Sequence, residues 1–291
     1  MTYLVTGATG TVGARVTRRL IDRGERPRVF VRDAKKARAL FGRRVEVHVG
    51  DLTDVSGALD GVDGVFLLNS GADLHVRDRA AAFAAKARGV RHVVKLSTLD
   101  ARTGVGTGPW HARGEAAVRE SGVAFTFIQP AGFMTNALSW SDDIRRYGVL
   151  RTSTGEGKIA FIHPHDIADV AVAALTSRAH DGESLVITGP RALSYQEMAA
   201  KLGARVEAIS DDEARPGGDS AFADALVDIW RAVREGRLAT VTDEVQRVLG
   251  RAPRSFDLWV EENADAFKRS TKRRGRPARS GPPLPSRSRA R

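Results

Sequence analysis

The chain contains no cysteine, and this absence excludes several kinds of chemistry at once. Disulfide bridges, cysteine nucleophiles and thiolate metal sites all require that side chain. Long apolar runs are also missing, since none approaches the roughly 20 residues that a membrane-spanning helix needs. The first apolar strand begins at Tyr3, which leaves no room for a signal peptide. These absences lead us to expect a cytoplasmic protein with no membrane partner.

Acidic residues are absent from residues 268–291, and this segment dominates the overall charge. It contains ten Lys or Arg, whereas the whole chain has 46 basic and 35 acidic residues and a formal net charge of +11. Removing those ten leaves 36 basic and 35 acidic residues, a net charge of +1, in residues 1–267. We therefore expect no nucleic-acid contact outside the tail. Residues 273–277 resemble the core of a minor-groove AT-hook, but the tail composition favours disorder without such a role.

A glycine-rich turn stands at the start of the chain, between an apolar strand at residues 3–6 and a helical pattern at residues 11–23. In such a turn, Gly7 permits the sharp bend, Gly10 lets the backbone approach a diphosphate, and Gly13 lets the helix pack against the strand. The free N–H groups at the helix start then face an anionic ligand. An ordinary strand-to-helix turn is the alternative. The residues predicted to bind a dinucleotide here are Gly7, Thr9, Gly10, Thr11, Val12 and Gly13.

Strands and helices alternate through the first half of the chain, which indicates a parallel, doubly wound sheet. The predicted strands lie at residues 3–6, 28–32, 45–49, 64–68, 92–96 and 124–129. The predicted helices lie at residues 11–23, 34–41, 53–60, 75–88 and 109–121. We expect an α/β fold, a doubly wound parallel sheet of the Rossmann type with a small C-terminal α/β substrate lobe. The predicted domains are a dinucleotide-binding domain at 1–155, the remaining Rossmann element plus the lobe at 156–267, and a disordered basic tail at 268–291.

The second half of the chain contains shorter elements. The predicted elements are a strand at residues 159–162, a helix at 164–177, and strands at 184–188 and 206–209. Ser194 followed by Glu197 is the pattern of a capping box and predicts a helix start. Residues 211–220 are polar and contain Pro216, Gly217 and Gly218, which favours a loop.

Polar residues follow several predicted strands and therefore fall at the carboxyl edge of the sheet, where ligands bind. Arg32 favours the 2′-phosphate of NADP, although the adjacent Asp33 weakens that preference and leaves NAD possible. Asp51 can accept a hydrogen bond from the adenine amino group, with Leu52 against the ring. Helix N-capping is the alternative role for Asp51. The other predicted cofactor contacts are Asn69, Ser70, Lys95, Pro130 and Phe133.

The predicted chemistry centres on Ser97, near the end of the fifth strand, and on His111, at the start of a helix. His111 and Glu115 are four residues apart and share a helix face. Histidine can act as an acid or base near neutral pH, and Glu115 can hold its orientation. The candidate catalytic residues are therefore His111, Glu115 and Ser97. A His–Glu pair without a catalytic role is the alternative.

We expect an apolar wall near the nicotinamide end of the site. The predicted substrate pocket consists of Phe133, Met134, Trp140 and Phe161. Residues of these types belong to a core as often as to a pocket. His163 and His165 invite a metal-site interpretation with Asp166, but they flank a proline at a helix start and lack a clear third ligand. We expect no metal, a small apolar substrate, and either a monomer or a homodimer.

Taken together, these motifs resemble the NmrA-like, atypical branch of the short-chain dehydrogenase/reductase superfamily. The matching segments are residues 6–13, 31–33, 50–52, 94–97, 111–115, 121–133 and 166–168. The resemblance covers residues 1–267. It implies a Rossmann domain with a small substrate lobe, and binding of NADP(H) or NAD(H) through the glycine loop, Arg32 and Asp51.

The chain departs from this superfamily at its usual Tyr-x-x-x-Lys pair. Trp110 or His111 stands at the tyrosine position, and Gly114 or Glu115 stands where the lysine would follow. Members with this pattern resemble NAD(P)H-dependent quinone or azo-dye reductases, or redox-sensing regulators. A quinone accepts hydride without a strong positioned acid. We therefore expect an NADPH-dependent reductase of a quinone-like or other apolar electrophilic acceptor, with a non-catalytic NADP(H) sensor acting through a protein partner as the alternative.

Overall fold

The computed structural model describes residues 1–217 and 220–268 of the chain. In these ranges the strands are β1 (Tyr3–Thr6), β2 (Arg28–Val31), β3 (Glu46–Val49), β4 (Gly64–Leu67), β5 (His92–Leu96), β6 (Phe125–Pro130), β7 (Val149–Thr152), β8 (Lys158–Ile159), β9 (Ser184–Ile187), β10 (Leu193–Ser194) and β11 (Arg205–Ala208). The helices are α1 (Thr11–Asp22), α2 (Ala34–Phe41), α3 (Leu74–Ala87), α4 (Asp100–Thr103), α5 (Gly108–Glu120), α6 (Ser141–Tyr147), α7 (Pro164–Thr176), α8 (Tyr195–Lys201), α9 (Asp211–Ala214), α10 (Ser220–Arg234), α11 (Glu244–Leu249) and α12 (Phe256–Glu262). Short 3-10 segments lie at Ser56–Ala58, Met134–Trp140 and Ala264–Ala266. The tail, with its predicted disorder and AT-hook-like segment, lies outside the described residues except for Lys268.

The main sheet has its strands in the order β3-β2-β1-β4-β5-β6-β9, and every pairing in it is parallel. The chain runs outward in one direction from β1 to β3 and then crosses back to β4 on the other side of β1. This reversal opens a crevice at the carboxyl ends of β1 and β4, the position where doubly wound sheets bind ligands. The predicted fold class is confirmed.

Successive residues of the central strands point to opposite faces of the sheet, and helices cover both faces. Val93 belongs to the core that includes Ala82 of α3 and Val118 of α5, whereas Val94 belongs to the core that includes Val16 of α1 and residues of α7. The strands are apolar on both sides because both faces are covered. This two-sided burial fixes the sheet and leaves its carboxyl edge open for polar side chains.

A second core lies in the C-terminal half, around side chains such as Leu150, Tyr195 and Trp259. Two small sheets support it: β7 pairs in parallel with β11, and β8 pairs antiparallel with β10. The sequence pattern did not reveal β7, which comes before residue 155 and pairs with a strand beyond it. The division of the chain at residue 155 stays a prediction.

Local side-chain hydrogen bonds explain where the predicted elements differ from the observed ones. The helix predicted at residues 53–60 is only a 3-10 turn, because Asp51 and Asp54 accept hydrogen bonds from the backbone N–H groups of Thr53 and Ser56. The loop prediction for residues 211–220 is wrong at α9, which begins with a capping box between Ser210 and Glu213. Residues 218–219 lie outside the description.

Other expectations hold more closely. The predicted capping box is confirmed, since Ser194 Oγ accepts from the Glu197 backbone N–H at 3.1 Å and Glu197 Oε2 accepts from the Ser194 N–H at 2.8 Å. The strand predicted at residues 159–162 shrinks to β8, although Ile162 still forms an isolated bridge with Phe133. In the part of the chain that the structure covers, no helix combines the length and the apolar character needed to cross a membrane.

Candidate functional site

The turn between β1 and α1 provides no side-chain cap for the start of α1. Gly10 is the N-cap residue but has no side chain to cap the helix, and the first turn carries no acidic residue. By contrast, Asp33 caps α2 with its carboxylate and Ser194 caps α8 with its hydroxyl. The first N–H groups of α1 and the positive end of its dipole are therefore available to an anionic ligand.

The three glycines of this turn occupy positions that a larger residue would disturb. Gly7 has φ of +59°, and a Cβ atom there would lie 2.7 Å from Leu68. A Cβ atom at Gly13 would lie 2.2 Å from the carbonyl oxygen of Gly7, so α1 packs directly on the turn. At Gly10 the nearest atom would be at 3.3 Å, and the space beyond it is free. The turn is thus a cradle that fits a diphosphate.

A groove with a cavity volume of about 490 Å³ runs along the carboxyl ends of the strands from this turn. Its walls consist of Gly7, Thr9, Gly10, Phe30, Val31, Arg32, Lys36, Gly50, Asp51, Leu52, Leu68, Asn69, Ser70 and Arg77. Eight predicted cofactor residues line it: Gly7, Thr9, Gly10, Arg32, Asp51, Leu52, Asn69 and Ser70. The structure does not bring the other six to the groove wall: Thr11, Val12, Gly13, Lys95, Pro130 and Phe133. Thr11, Val12 and Gly13 stay beside it through their backbone at the start of α1.

Two basic side chains, Arg32 and Lys36, line the groove near the end of β2. Arg32 is exposed, and Lys36 lies four residues further on, in the first turn of α2. Asp33 points its carboxylate at α2 instead, because it accepts hydrogen bonds from the Lys35 and Lys36 N–H groups at 2.8 and 3.1 Å. One carboxylate oxygen of the acidic residue that weakened the NADP prediction therefore forms a helix cap. Sequence reasoning missed Lys36, although its i, i+4 spacing from Arg32 was the available signal.

Asp51 is exposed at the groove and closes a local turn. One carboxylate oxygen accepts from the Thr53 N–H at 3.0 Å, and that hydrogen bond holds the pKa of Asp51 below its usual range. The Thr53 hydroxyl and the charges of Arg77 and Arg32 lower the pKa further. A Cβ atom at Gly50 would lie 2.5 Å from the Phe30 ring, so the glycine lets that ring form the groove wall. Asp51 thus stays ionised and does not cap a regular helix.

Asn69 and Arg77 form a fixed unit at the groove. Arg77 Nε donates to Asn69 Oδ1 at 3.0 Å, and its terminal nitrogens donate to the Ser70 carbonyl and to Asp73. Sequence reasoning missed Arg77 because it comes from α3, and no motif marks it.

The candidate catalytic residues occupy a buried hydrogen-bonded network, but the predicted pairs differ from the observed ones. Ser97 Oγ donates to Glu115 Oε1 at 2.5 Å, and Gln129 Nε2 donates to the same oxygen at 2.8 Å. Arg119 forms an ion pair with the other oxygen at 3.5 Å. The Glu115 carboxylate is therefore held by these three groups and forms no hydrogen bond with His111.

His111 lies partly buried at the start of α5, with its Nδ1 atom enclosed and without a hydrogen-bond partner among the residues described. Burial lowers its pKa to about 3, and the nearby Lys95 ammonium lowers it in the same direction. The ring is therefore neutral at pH 7. The expected contact by which Glu115 would hold the orientation of His111 is not formed, because Glu115 instead accepts from Ser97 and Gln129. The catalytic roles of His111, Glu115 and Ser97 stay predictions.

Lys95 is wholly enclosed beneath the groove. Its Nζ lies 2.7 Å from Oδ2 of Asp78, which is equally buried. Asp78 comes from α3 and accepts a hydrogen bond from Asn69 Nδ2 at 3.0 Å. Lys95 was predicted to contact the cofactor, whereas in the structure it has no exposed surface and does not line the groove.

The four residues predicted as a substrate pocket do not form an open one. Met134 and Phe161 belong to the second core and line a cavity of about 30 Å³, which holds about one water molecule. Trp140 packs on Phe161 and Tyr195, with ring centroids 6.3 and 5.2 Å apart. Phe133 packs against the main core. Only Phe133 and Trp140 stay partly exposed.

His163, His165 and Asp166 bind other side chains. His163 Nε2 lies 3.1 Å from Glu262, and Asp166 pairs with Arg251 and Arg254. No group of residues suited to hold a metal ion occurs in residues 1–217 and 220–268.

Residues 7–178 match a family of NAD(P)H-binding proteins. The chain is 39% identical over 282 residues to an NAD(P)H azoreductase of Xenophilus azovorans, covering 91% of this chain and 98% of the azoreductase. The identity and coverage are the same for a (4-alkanoyl-5-oxo-2,5-dihydrofuran-3-yl)methyl phosphate reductase of Streptomyces griseus. The crystal structure of an NADPH-dependent quinone oxidoreductase of Escherichia coli, complexed with NADPH, aligns with a TM-score of 0.82 and 26% identity over 90% of this chain and 99% of that chain.

The matched residues contain the glycine turn, the groove walls and the network around Glu115. The chain therefore belongs to the NAD(P)H-binding family, within the NmrA-like, atypical branch of the short-chain dehydrogenases/reductases.

Proposed function

We propose that this protein is an NADPH-dependent reductase that transfers hydride to a small, apolar, electrophilic acceptor. The observation that carries this proposal is the bare start of α1 beside a groove of about 490 Å³ with basic side chains at its far end. The α1 N–H groups would hold the diphosphate. Asp51 and Leu52 would meet the adenine, and the nicotinamide would extend toward Ser97 and His111.

The charges beside β2 support NADPH over NADH. Arg32 and Lys36 are free to meet a 2′-phosphate, whereas the carboxylate of Asp33 is engaged by the α2 backbone. An NAD-type site would need that carboxylate to accept from the ribose hydroxyls. The NADPH complex of the aligned quinone oxidoreductase agrees with this preference. NADH remains a weaker substrate in this account.

Bound dihydronicotinamide would supply the hydride, and the residues of the chain would orient the acceptor. Ser97 commits its hydroxyl hydrogen to Glu115, so it offers only lone pairs to a ligand. His111 is neutral because burial lowers its pKa to about 3, so it acts as a hydrogen-bond donor and not as an imidazolium acid. The proton that completes the reduction then comes from water, which a quinone-like acceptor tolerates.

Two observations support this acceptor class: the site has no protonated histidine to act as an acid, and the related reductases are named for similar acceptors. The relatives are named for an azo group, a quinone and an oxo-dihydrofuran, which are all conjugated electrophiles. Hydride addition to such groups places negative charge on a conjugated atom, which needs less help from a positioned proton than a simple ketone does. The named reductases favour turnover over the non-catalytic sensor.

The test is acceptor-dependent oxidation of NADPH, followed at 340 nm with a quinone, an azo dye and a dihydrofuranone as acceptors. We expect turnover with at least one acceptor and a higher kcat/KM with NADPH than with NADH. His111→Gln should lower kcat while the Kd for NADPH stays within about twofold, and Arg113→Gln on the exposed side of α5 serves as the matched control. Tight NADPH binding without turnover on any acceptor would contradict the proposal and favour the sensor.

A further inference from the structure

A buried ion pair lies next to the groove residue Asn69. Lys95 Nζ and Asp78 Oδ2 are 2.7 Å apart, and both side chains have no exposed surface. Lys95 stands on the face of the sheet where its register neighbours are Leu67 and Phe127. Well-packed apolar residues at such a place are often as stabilising as an ion pair, because burying two charges costs desolvation energy. Stability therefore does not account for the pair.

The second oxygen of Asp78 determines the orientation of the Asn69 amide. Asn69 Nδ2 donates to Asp78 Oδ1 at 3.0 Å and to the Leu74 carbonyl at 2.9 Å, and Asn69 Oδ1 accepts from Arg77 Nε at 3.0 Å. A reversed amide would place its oxygen against the Asp78 carboxylate and its NH₂ group against the guanidinium. Both ends of the amide thus require the observed orientation.

Arg77 is the groove residue at the end of this chain of contacts. Its guanidinium donates to the Ser70 carbonyl at 2.7 Å, and its side chain lines the groove together with Asp51 and Leu52. The Arg77 side chain therefore connects the backbone after β4 with the part of the groove where the adenine and its phosphates would lie. With Arg32 and Lys36, it is one of three cations in the groove wall.

We propose that Asp78 is a positioning residue for the dinucleotide groove. Its Oδ1 fixes the Asn69 amide, which holds Arg77 and the Ser70 backbone in place, and Lys95 neutralises the buried carboxylate. This inference rests on the proposed function, because it assigns a role in dinucleotide binding. One aspect of the packing supports it: the Lys95–Asp78 contact is an ion pair without hydrogen-bond alignment, whereas Asp78 Oδ1 accepts a hydrogen bond from Asn69. Of the two carboxylate oxygens of Asp78, Oδ1 therefore makes the hydrogen bond, to Asn69, and Oδ2 makes only the ion pair with Lys95.

Two double variants separate positioning from simple charge compensation. Lys95→Met with Asp78→Asn removes both charges but keeps an oxygen that can accept from Asn69. Lys95→Met with Asp78→Leu removes the charges and that oxygen, in a side chain of the same branching. Neither variant leaves an unpaired buried charge, so we expect both to fold.

The measurement is the Kd for NADPH by isothermal titration at fixed ionic strength, with urea unfolding of each variant alongside. We expect the asparagine variant to stay within about threefold of the wild-type Kd and the leucine variant to bind about tenfold more weakly, the loss expected for a misplaced charged hydrogen-bond partner. Should the leucine variant fail to fold, Lys95→Met with Asp78→Ala makes the same comparison.

Equal NADPH affinity of the two folded double variants would overturn the positioning role. A wild-type protein that binds no NADPH would instead overturn the proposed function. The two failures are therefore distinguishable in one set of titrations.

Discussion

The side chains that follow β2 have separate roles at the scale of single residues. Asp33 caps α2, while Arg32 and Lys36 remain beside the groove. We predict that Arg32→Ala raises the Kd for NADPH about tenfold and leaves the Kd for NADH within about twofold, because a charge-assisted contact to the 2′-phosphate is lost. Titration of both cofactors tests this. Arg38→Ala, on α2 but away from the groove, is the control, and equal losses for NADPH and NADH would contradict the assignment.

Gly10 gives a second test at this scale. Gly10→Val should abolish NADPH binding, because the branched side chain would fill the space that a diphosphate needs above the α1 N–H groups. Gly57→Val is the matched control, since Gly57 has open space around it and an ordinary backbone conformation. Calorimetric titration and far-UV circular dichroism together show whether binding is lost in a folded protein. Retained binding by the Gly10 variant would remove the glycine turn from the site.

The buried ring of His111 predicts a pH dependence of stability. Its pKa in the fold is about 3, below the ordinary value of 6.5, so the unfolded chain binds a proton more readily. The free energy of unfolding therefore falls as pH decreases from 6.5 toward 3, with a slope from this group of up to about 1.4 kcal/mol per pH unit. His111→Gln should give a shallower slope in urea unfolding between pH 7.5 and 5. Equal slopes for variant and wild type would show that His111 is not buried as a neutral ring.

At the scale of elements, α2 depends on the N-cap side chain of Asp33. From the sequence, this residue was considered only in choosing between NADP and NAD. Asp33→Ala should lower the free energy of unfolding by about 1 kcal/mol, the usual cost of losing an N-cap side chain. The Kd for NADH should stay within about twofold, because the carboxylate binds the helix and not a ribose. Urea unfolding and NADH titration are the two measurements, with Asp22→Ala at the exposed end of α1 as control. A large loss of NADH affinity would show that the Asp33 carboxylate contacts the cofactor.

The sequence predicts elements that carry their own local signal and misses those that depend on distant partners. The strand pattern and the glycine spacing predict β1, α1 and the start of the groove, because each of these features depends only on residues close together in the sequence. Arg77 and Asp78 carry no such signal, since Arg77 reaches the groove and Asp78 meets Lys95 only when α3 packs against the sheet. The link between Ser97 and Glu115 is missed for the same reason: helix spacing paired Glu115 with His111, whereas tertiary packing presents it to Ser97 and Gln129.

At the scale of the whole molecule, a cluster of charges joins the main sheet layer to the second core. Asp166 of α7 is wholly buried and accepts hydrogen bonds from the backbone N–H of Arg254 at 2.7 Å and from the Arg251 guanidinium at 2.8 Å. Arg251 and Arg254 also contact Asp169 of α7, which in turn pairs with Arg19 of α1. The segment before α12 is thereby fixed to the helical layer that covers the sheet.

We predict that Asp166→Ala lowers the free energy of unfolding by about 3 kcal/mol, because it leaves the Arg254 backbone N–H without its acceptor and the two guanidinium groups with Asp169 as their remaining carboxylate partner. The Kd for NADPH should change by less than about twofold, since this cluster lies outside the groove. Asp265→Ala, which removes an exposed ion pair with Lys268, is the control and should cost almost nothing. Urea unfolding measures both. A loss for Asp166→Ala no greater than that for the control would show that this connection does not hold the molecule together.

Hydride transfer from the bound cofactor is the central claim, and a single-turnover experiment tests it most directly. The enzyme is loaded with NADPH deuterated at one or the other C4 position of the nicotinamide, mixed with the best acceptor, and followed at 340 nm by stopped flow. We expect slower oxidation with one of the two deuterated forms, because the groove would fix one face of the nicotinamide toward the acceptor. Oxidation at the same rate with both forms and with unlabelled NADPH, or no oxidation at all, would contradict it.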